Sequence, residues 1–316
     1  MRIVFFGTPL FAAHTLSHLL KHGVDIVAVV TKPDRPQGRS STPVPTPVKC
    51  VALEHQPPIP VFQPEVVSGP EYAPILAQFQ ADLFVVVAYG EIIKQHLLEM
   101  PKIACINVHP SLLPKYRGAS PIQSSILNGD TETGVTIMHM TKKMDAGDII
   151  SVKKIPLEPN TTFGELEEEL CNIGSDLLLR AIHSFEDETA QRTPQDHSQA
   201  TIAKKIELED CQVRWDIPAK IIHNRVRGVT PLPGAWCYVT IKDQQKRLRI
   251  LSTRVDETSH QAPPGTILAT TKEGVLVSCI EGAILLLQVQ PEGKKPMSAP
   301  DFIRGLPPGT LKFTEI

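Results

Sequence analysis

Short runs of large apolar residues on consecutive positions, separated by longer amphipathic stretches, constrain this chain more than any other feature. Phe84-Val85-Val86-Val87 is the clearest case. A strand with one face in water alternates apolar and polar residues, so consecutive apolar positions require burial on both faces. The first half repeats this pattern. Ile3 to Phe6, Ile26 to Val30, Leu83 to Ala88, Ile103 to Val108 and Val135 to Met140 read as strands. The stretches around Ala12 to Lys21, Glu71 to Phe79, Glu91 to Met100, Pro121 to Leu127 and Phe163 to Ser184 read as helices. The expectation is an α/β domain built on an open, mostly parallel, Rossmann-like sheet covered by helices. Ligands in such sheets gather beyond the carboxyl ends of the strands.

Residues 186–206 are polar and read as a connection, which divides the chain into 1–189, a linker at 190–206, and 207–316. Past the linker come one helical stretch, Pro218 to Val226, and β-rich runs at Trp236 to Ile241, Leu248 to Leu251, Thr266 to Ala269, Val275 to Cys279 and Ile284 to Val289. Short strands at this density predict a small β-barrel, with the oligonucleotide-binding (OB-like) form favoured. From Lys204 onward 16 Lys and Arg oppose 12 Asp and Glu, while the whole chain carries 32 against 34. The net charge of −2 excludes binding of nucleic acid by overall basicity, but the positive excess of the second half points mildly to such a partner.

No stretch approaches the roughly 18 to 20 apolar residues of a membrane-spanning helix. The opening run Ile3 to Phe6 is too short for a secretory signal, so a cytoplasmic protein with no membrane partner is expected. The six cysteines are scattered, with no Cys-x-x-Cys pair and no histidine at zinc-ligand spacing. Reduced structural thiols and no metal are the expectation.

The first βα turn, Gly7-Thr8-Pro9-Leu10-Phe11-Ala12, has one of the three glycines of a dinucleotide fingerprint, and Pro9 stands where a pyrophosphate would approach. No Walker-type phosphate loop occurs either. Polar information concentrates instead between Asn107 and Gln123. Asn107 and His109 close an apolar strand two residues apart, so both side chains point to the same side. Pro110, Pro114 and Gly118 punctuate the loop that follows. A second polar turn, Met144-Asp145-Ala146-Gly147-Asp148, could bring a carboxylate to His109, and either aspartate would serve. Two basic features remain. The proline-rich segment from Lys32 to Lys49 carries Lys32, Arg35, Arg39 and Lys49 against Asp34 and reads as a loop of about 18 residues without regular structure. The strand around Lys246, Arg247 and Arg249 reads either as a phosphate-facing stripe or as an ordinary half-buried strand.

The run Asn107-x-His109-Pro110-Ser111-Leu112-Leu113-Pro114, then Arg117-Gly118 and Pro121-Ile122, with Asp145-x-Gly147-Asp148-Ile149 further on, resembles the folate-dependent formyltransferases. The similarity extends to Arg2-Ile3-Val4-Phe5-Phe6-Gly7-Thr8-Pro9, to Thr31-Lys32-Pro33-Asp34-Arg35-Pro36-x-Gly38-Arg39, to Pro233-Gly234-Ala235-Trp236 and to Lys295-Pro296-Met297-Ser298-Ala299-Pro300-Asp301-Phe302. By that resemblance Asn107, His109 and Asp145 form the catalytic trio, which decides between the two aspartates. Ser111, Leu112, Leu113 and Pro114 would contact folate, with Tyr89, Gly90 and Ile92 completing the pocket wall. The implied donor is 10-formyltetrahydrofolate, with no metal, and the implied acceptor is the amino group of initiator methionyl-tRNA. Arg35, Arg39, Lys49, Lys246, Arg247 and Arg249 would meet that tRNA, and the enzyme would be a monomer. The chain departs from the family in having Ser40-Ser41-Thr42 where further basic residues are common. Acyl transfer between nitrogens needs donors at the developing oxyanion, for which the Asn107 amide and the His109 ring N–H are suited. Asp145 is expected to hold and charge His109 and to accept the amine's proton. The rival readings are a family member acting on a small amine, and a non-catalytic nucleic-acid-binding protein.

Overall fold

The computed structural model describes residues 1–36, 38, 41–307 and 311–313. The chain forms two compact units that interleave in sequence. The first comprises Met1–Pro121, Thr133–Ile155 and Glu167–Ala203, and the second Ile122–Glu132, Pro156–Leu166 and Lys204–Ile316. Among the described residues no helix is long and apolar enough to cross a membrane.

The first unit is built on seven strands: β1 Ile3–Gly7, β2 Ile26–Val30, β3 Val61–Phe62, β4 Leu83–Val87, β5 Ala104–His109, β6 Glu132–His139 and β7 Ile149–Pro156, in the order β7-β6-β5-β4-β1-β2-β3. Strands β1 to β5 run parallel, and β6 is antiparallel to β5. Every residue of β1 and β4 is buried, as consecutive apolar positions require. From β3 at one edge the chain returns to β4 on the other side of β1. The strand order therefore reverses between β1 and β4, and their carboxyl ends, with that of β5, open a crevice suited to a ligand.

Three local expectations change. The Lys32 to Lys49 segment has regular structure: Arg35–Pro36 pairs antiparallel with Pro43–Val44, and a helix covers Pro47–Glu54. The Thr46 hydroxyl caps that helix on Lys49 N–H, and Pro47 occupies its first turn, where a missing N–H is harmless. The helix expected from Glu91 shrinks to Gln95–Leu98. Within 190–206, Thr193 bridges to Ile149, and Ile202–Ala203 lies parallel to Arg117–Gly118.

The second unit carries β8 Ala235–Ile241, β9 Gln244–Asp256, β10 Ile267–Thr270, β11 Val275–Ser278, β12 Ala283–Pro291 and β13 Leu311–Phe313. They pair antiparallel in the order β10-β11-β12-β9-β8-β13. Lys242 and Asp243 both take positive φ, 49° and 59°, the left-handed turn that matches the twist of the β8–β9 hairpin. Register shifts around Ser252 bend the long strand β9. The sheet curls until Phe313, on one edge strand, packs edge-on to Trp215 at 4.8 Å and lies beside Gly265 at the entry to the other edge. Covering the sheet edges in this way protects them from stray pairing.

Candidate active site

Asn107 and His109 leave the carboxyl end of β5 on one side of the sheet. Asn107 Nδ2 donates to the Val86 carbonyl of β4 at 3.1 Å, which fixes the carboxamide and leaves its second N–H for a ligand. His109 is 4% exposed, and its Nε2 lies 2.9 Å from the Tyr116 carbonyl. A carbonyl only accepts, so the ring hydrogen sits on Nε2, and Nδ1 faces Asp145 Oδ2 at 3.7 Å. Asp145 Oδ2 also accepts the Gly118 N–H at 2.8 Å. Asp148, the rival carboxylate, is held by Arg192 Nε at 2.7 Å. Gly147 has no room for a side chain, since a Cβ there would lie 1.8 Å from the His139 carbonyl oxygen.

Burial is the largest influence on His109 and pushes its pKa below the ordinary 6.5, against the opposing pull of Asp145 and the Tyr116 carbonyl. Burial thus favours the neutral ring over the charged form expected from the sequence. A neutral imidazole nitrogen facing a carboxylate is a proton acceptor: one added proton converts the contact into an Nδ1–H···Oδ2 bond. The Nε2–H is occupied by Tyr116, so Asn107 is the better placed of the two donors for an oxyanion.

The Ser111 hydroxyl donates to the Lys115 carbonyl at 2.7 Å, and Ser111 is fully buried. Thr136 on β6 ties this loop down: its hydroxyl donates to the Ser111 carbonyl at 2.7 Å and accepts from Leu113 N–H at 3.3 Å. Leu113 is buried, while Leu112 and Pro114 are half-buried. Tyr89 belongs to the core, edge-on to Phe6 at 5.7 Å, with a buried hydroxyl that finds no hydrogen-bond partner among the described residues. Gly90 takes φ +86° and Ile92 is 72% exposed, an apolar side chain near the end of β4. Leu10, the first residue of the helix that follows β1, is 76% exposed.

The basic residues divide sharply. Arg35 is exposed and pairs with Glu65 at 2.6 Å, and Lys49 is held by Asp34 at 2.6 Å. Arg39 lies outside the described residues. On β9, Arg247 stacks on Trp236 with its guanidinium carbon 4.0 Å from the ring centroid. Arg249 donates to the carbonyls of Pro231 and Pro233 and to Gln290. Both guanidinium groups thus have partners within the unit, whereas Lys246 is exposed. Arg225 bonds the Gln212 carbonyl, and the buried Arg227 bonds Asn224, Glu158 and Thr161. Among the described residues no group of three or more His, Cys, Asp or Glu side chains is arranged around a metal position.

Residues 1–182 match the formyl transferase family, and residues 205–307 match the formyl transferase C-terminal domain. The chain belongs to the formyltransferase family. Within it, the methionyl-tRNA formyltransferase of Protochlamydia amoebophila (strain UWE25) is 55% identical over 313 residues, 99% of this chain and 98% of that one. The chain thus stands among the methionyl-tRNA formyltransferases. Two solved structures at lower identity share the fold. The N-formyltransferase of Helicobacter canadensis, in complex with folinic acid and dTDP-3-aminofucose, superposes with a TM-score of 0.66 at 20% identity, over 92% of this chain and 98% of that one. HypX from Aquifex aeolicus, in complex with tetrahydrofolic acid, gives 0.64 at 18% identity; this chain is covered entirely and spans 49% of that longer protein.

Proposed function

We propose that the protein transfers a formyl group from 10-formyltetrahydrofolate to the α-amino group of methionine on initiator tRNA. The observation that supports this reading is the pairing of His109 Nδ1 with Asp145 Oδ2 at 3.7 Å at the carboxyl end of β5, where Asn107 stands two residues before His109 on the same strand. The amine attacks the formyl carbon, a C–N bond forms, and the carbonyl oxygen becomes an oxyanion that receives the second N–H of Asn107. The proton lost from the amine nitrogen as the bond forms enters the pair of neutral His109 and the Asp145 carboxylate through the more exposed Asp145. The tetrahedral intermediate then collapses, the folate nitrogen leaves, and that proton returns to it.

The backbone of 111–114, with Leu112 and Pro114, supplies polar edges and an apolar face for the pterin, and Gly90 and Ile92 flank it. Residues 1–189 carry the chemistry, 190–206 connect, and 207–316 meet tRNA, chiefly through Lys246; Arg35 and Arg39 approach the acceptor stem from the first unit. The protein works as a cytoplasmic monomer without a metal. Incubation with 10-formyltetrahydrofolate and either methionyl-initiator tRNA or glycinamide ribonucleotide tests the reading. Formyl incorporation into the aminoacyl-tRNA is expected, and product on the small amine alone overturns it.

A further inference from the structure

The two groups that hold the catalytic pair are backbone atoms of one short segment: the Tyr116 carbonyl on His109, and the Gly118 N–H on Asp145. That segment is anchored from the connection between the two family-matched regions, 1–182 and 205–307. Arg117 N–H donates to the Thr201 carbonyl and Ala119 N–H to the Ala203 carbonyl, each at 2.9 Å. The Thr201 hydroxyl accepts Tyr116 N–H at 2.8 Å. Gln195 adds a second anchor. Its carboxamide oxygen accepts from Arg117 Nε at 3.2 Å and Nη2 at 2.6 Å, and its nitrogen donates to the carbonyls of Asp145 at 3.0 Å and Gly147 at 2.7 Å. Gln195 is 7% exposed and Arg117 3%, so these bonds form away from water. One carboxamide thereby spans the segment that orients His109 and the turn that carries Asp145.

The backbone on both sides needs such support. Tyr116, Gly118 and Asp145 take φ of +61°, +121° and +49°. Left-handed conformations at non-glycine residues persist only where the surroundings over-determine them. A pair 3.7 Å apart that must close to a hydrogen bond when protonated tolerates little drift.

We propose that Gln195 and Thr201 are positioning residues for formyl transfer: Thr201 holds Tyr116–Gly118 in place, and Gln195 fixes its register against the Asp145–Gly147 turn, and with it the separation of His109 from Asp145. The proposal rests on the reading of that pair given above. It predicts that the connecting segment acts on turnover rather than on substrate binding.

The test compares Gln195→Ala, Thr201→Val and Thr201→Ser with the unsubstituted protein, and runs Asp145→Asn alongside. Formyl transfer from 10-formyltetrahydrofolate to methionyl-initiator tRNA is measured across pH, with thermal melting of each variant. Gln195→Ala and Thr201→Val should lower kcat about ten- to a hundredfold, as expected for misplacement by a fraction of an ångström. Both KM values should stay within about twofold, and the pH dependence of kcat should shift. Thr201→Ser keeps the hydroxyl and should recover most of the rate. If Gln195→Ala fails to fold because buried Arg117 is left with only His197 Nδ1 as a side-chain acceptor, the near-isosteric Thr201→Val decides. A folded Thr201→Val with wild-type kcat and pH profile overturns the proposal, as does a Thr201→Ser no better than Thr201→Val. If Asp145→Asn is impaired while the connecting-segment variants are not, positioning alone fails; a fully active Asp145→Asn fails the reading of the pair itself.

Discussion

Replacing Gly118 by alanine separates the hold on Asp145 from the chemistry of Asp145. Gly118 lies at φ +121°, and an added Cβ would stand 2.5 Å from the Ala203 carbonyl oxygen, where ordinary contact begins at 3.4 Å. The two backbones must part by about 1 Å, and the residue must bear a conformation that costs about 1–3 kcal/mol outside glycine. Weakening the adjacent Ala119–Ala203 bond adds about 0.5–1.5 kcal/mol. Together these predict a loss of about 2–4 kcal/mol of stability. The same displacement draws the Gly118 N–H from Asp145 Oδ2, now at 2.8 Å, and a shift of that size costs about a hundredfold in rate, or about 2.7 kcal/mol of barrier. Urea unfolding gives the first quantity, and single-turnover formyl transfer below the melting temperature gives the second. A variant that is destabilised yet transfers at the wild-type rate would show that this N–H does not hold the carboxylate. Unchanged stability would refute the close approach.

Protonation offers an independent check on the buried histidines. Burial holds His109, His139 and His223 below their ordinary 6.5, so the unfolded chain binds more protons than the folded one just below that pH. Their contribution is complete above about pH 6.5 and is lost as pH falls toward the folded values; urea midpoints should be lower at pH 5.5 than at pH 7.5, and equal midpoints contradict this. Arg247→Ala should cost about 0.5–2 kcal/mol through the lost Trp236 stack and leave the salt dependence of tRNA affinity intact. Lys246→Ala should do the reverse, with a salt slope smaller by about 1, and exchange of these two phenotypes refutes the assignment. Cys50 is the one exposed thiol of the six, while burial pushes Cys171 up to about 11 and Cys279 up to about 12. Native protein should therefore label rapidly at Cys50 alone, and fast labelling at a second thiol contradicts the burial.

The sheet was legible because β1 and β4 are buried on both faces and so carry apolar residues without interruption, as β5 does up to Asn107. The edges were not. β3 is two residues long, and β7 exposes Lys153 and Lys154, so neither has a periodicity to read. The helix at Pro47–Glu54 did leave a signal, Thr46 followed by Pro47, which the surrounding prolines obscured. At the site, the shared side of Asn107 and His109 followed from strand geometry, and Asp145 from family resemblance. The groups that orient them are the Tyr116 carbonyl, the Gly118 amide and the Gln195 carboxamide. Backbone atoms carry no residue signature, and Gln195 stands 50 positions from Asp145. The Arg247–Trp236 stack was not legible for a related reason: a cation on the outward face of a strand looks the same in sequence whether it meets solvent or an indole.

Asp145→Asn tests the central claim most directly. Asparagine tolerates the left-handed backbone that Asp145 adopts at φ +49°, so the turn survives while the proton acceptor is lost. Single-turnover transfer from saturating 10-formyltetrahydrofolate to methionyl-initiator tRNA should slow by about 10²- to 10⁴-fold, with the affinity for each substrate changed by less than about twofold. A wild-type rate, or an affinity loss as large as the rate loss, would contradict the role of the His109–Asp145 pair as the acceptor of the amine's proton.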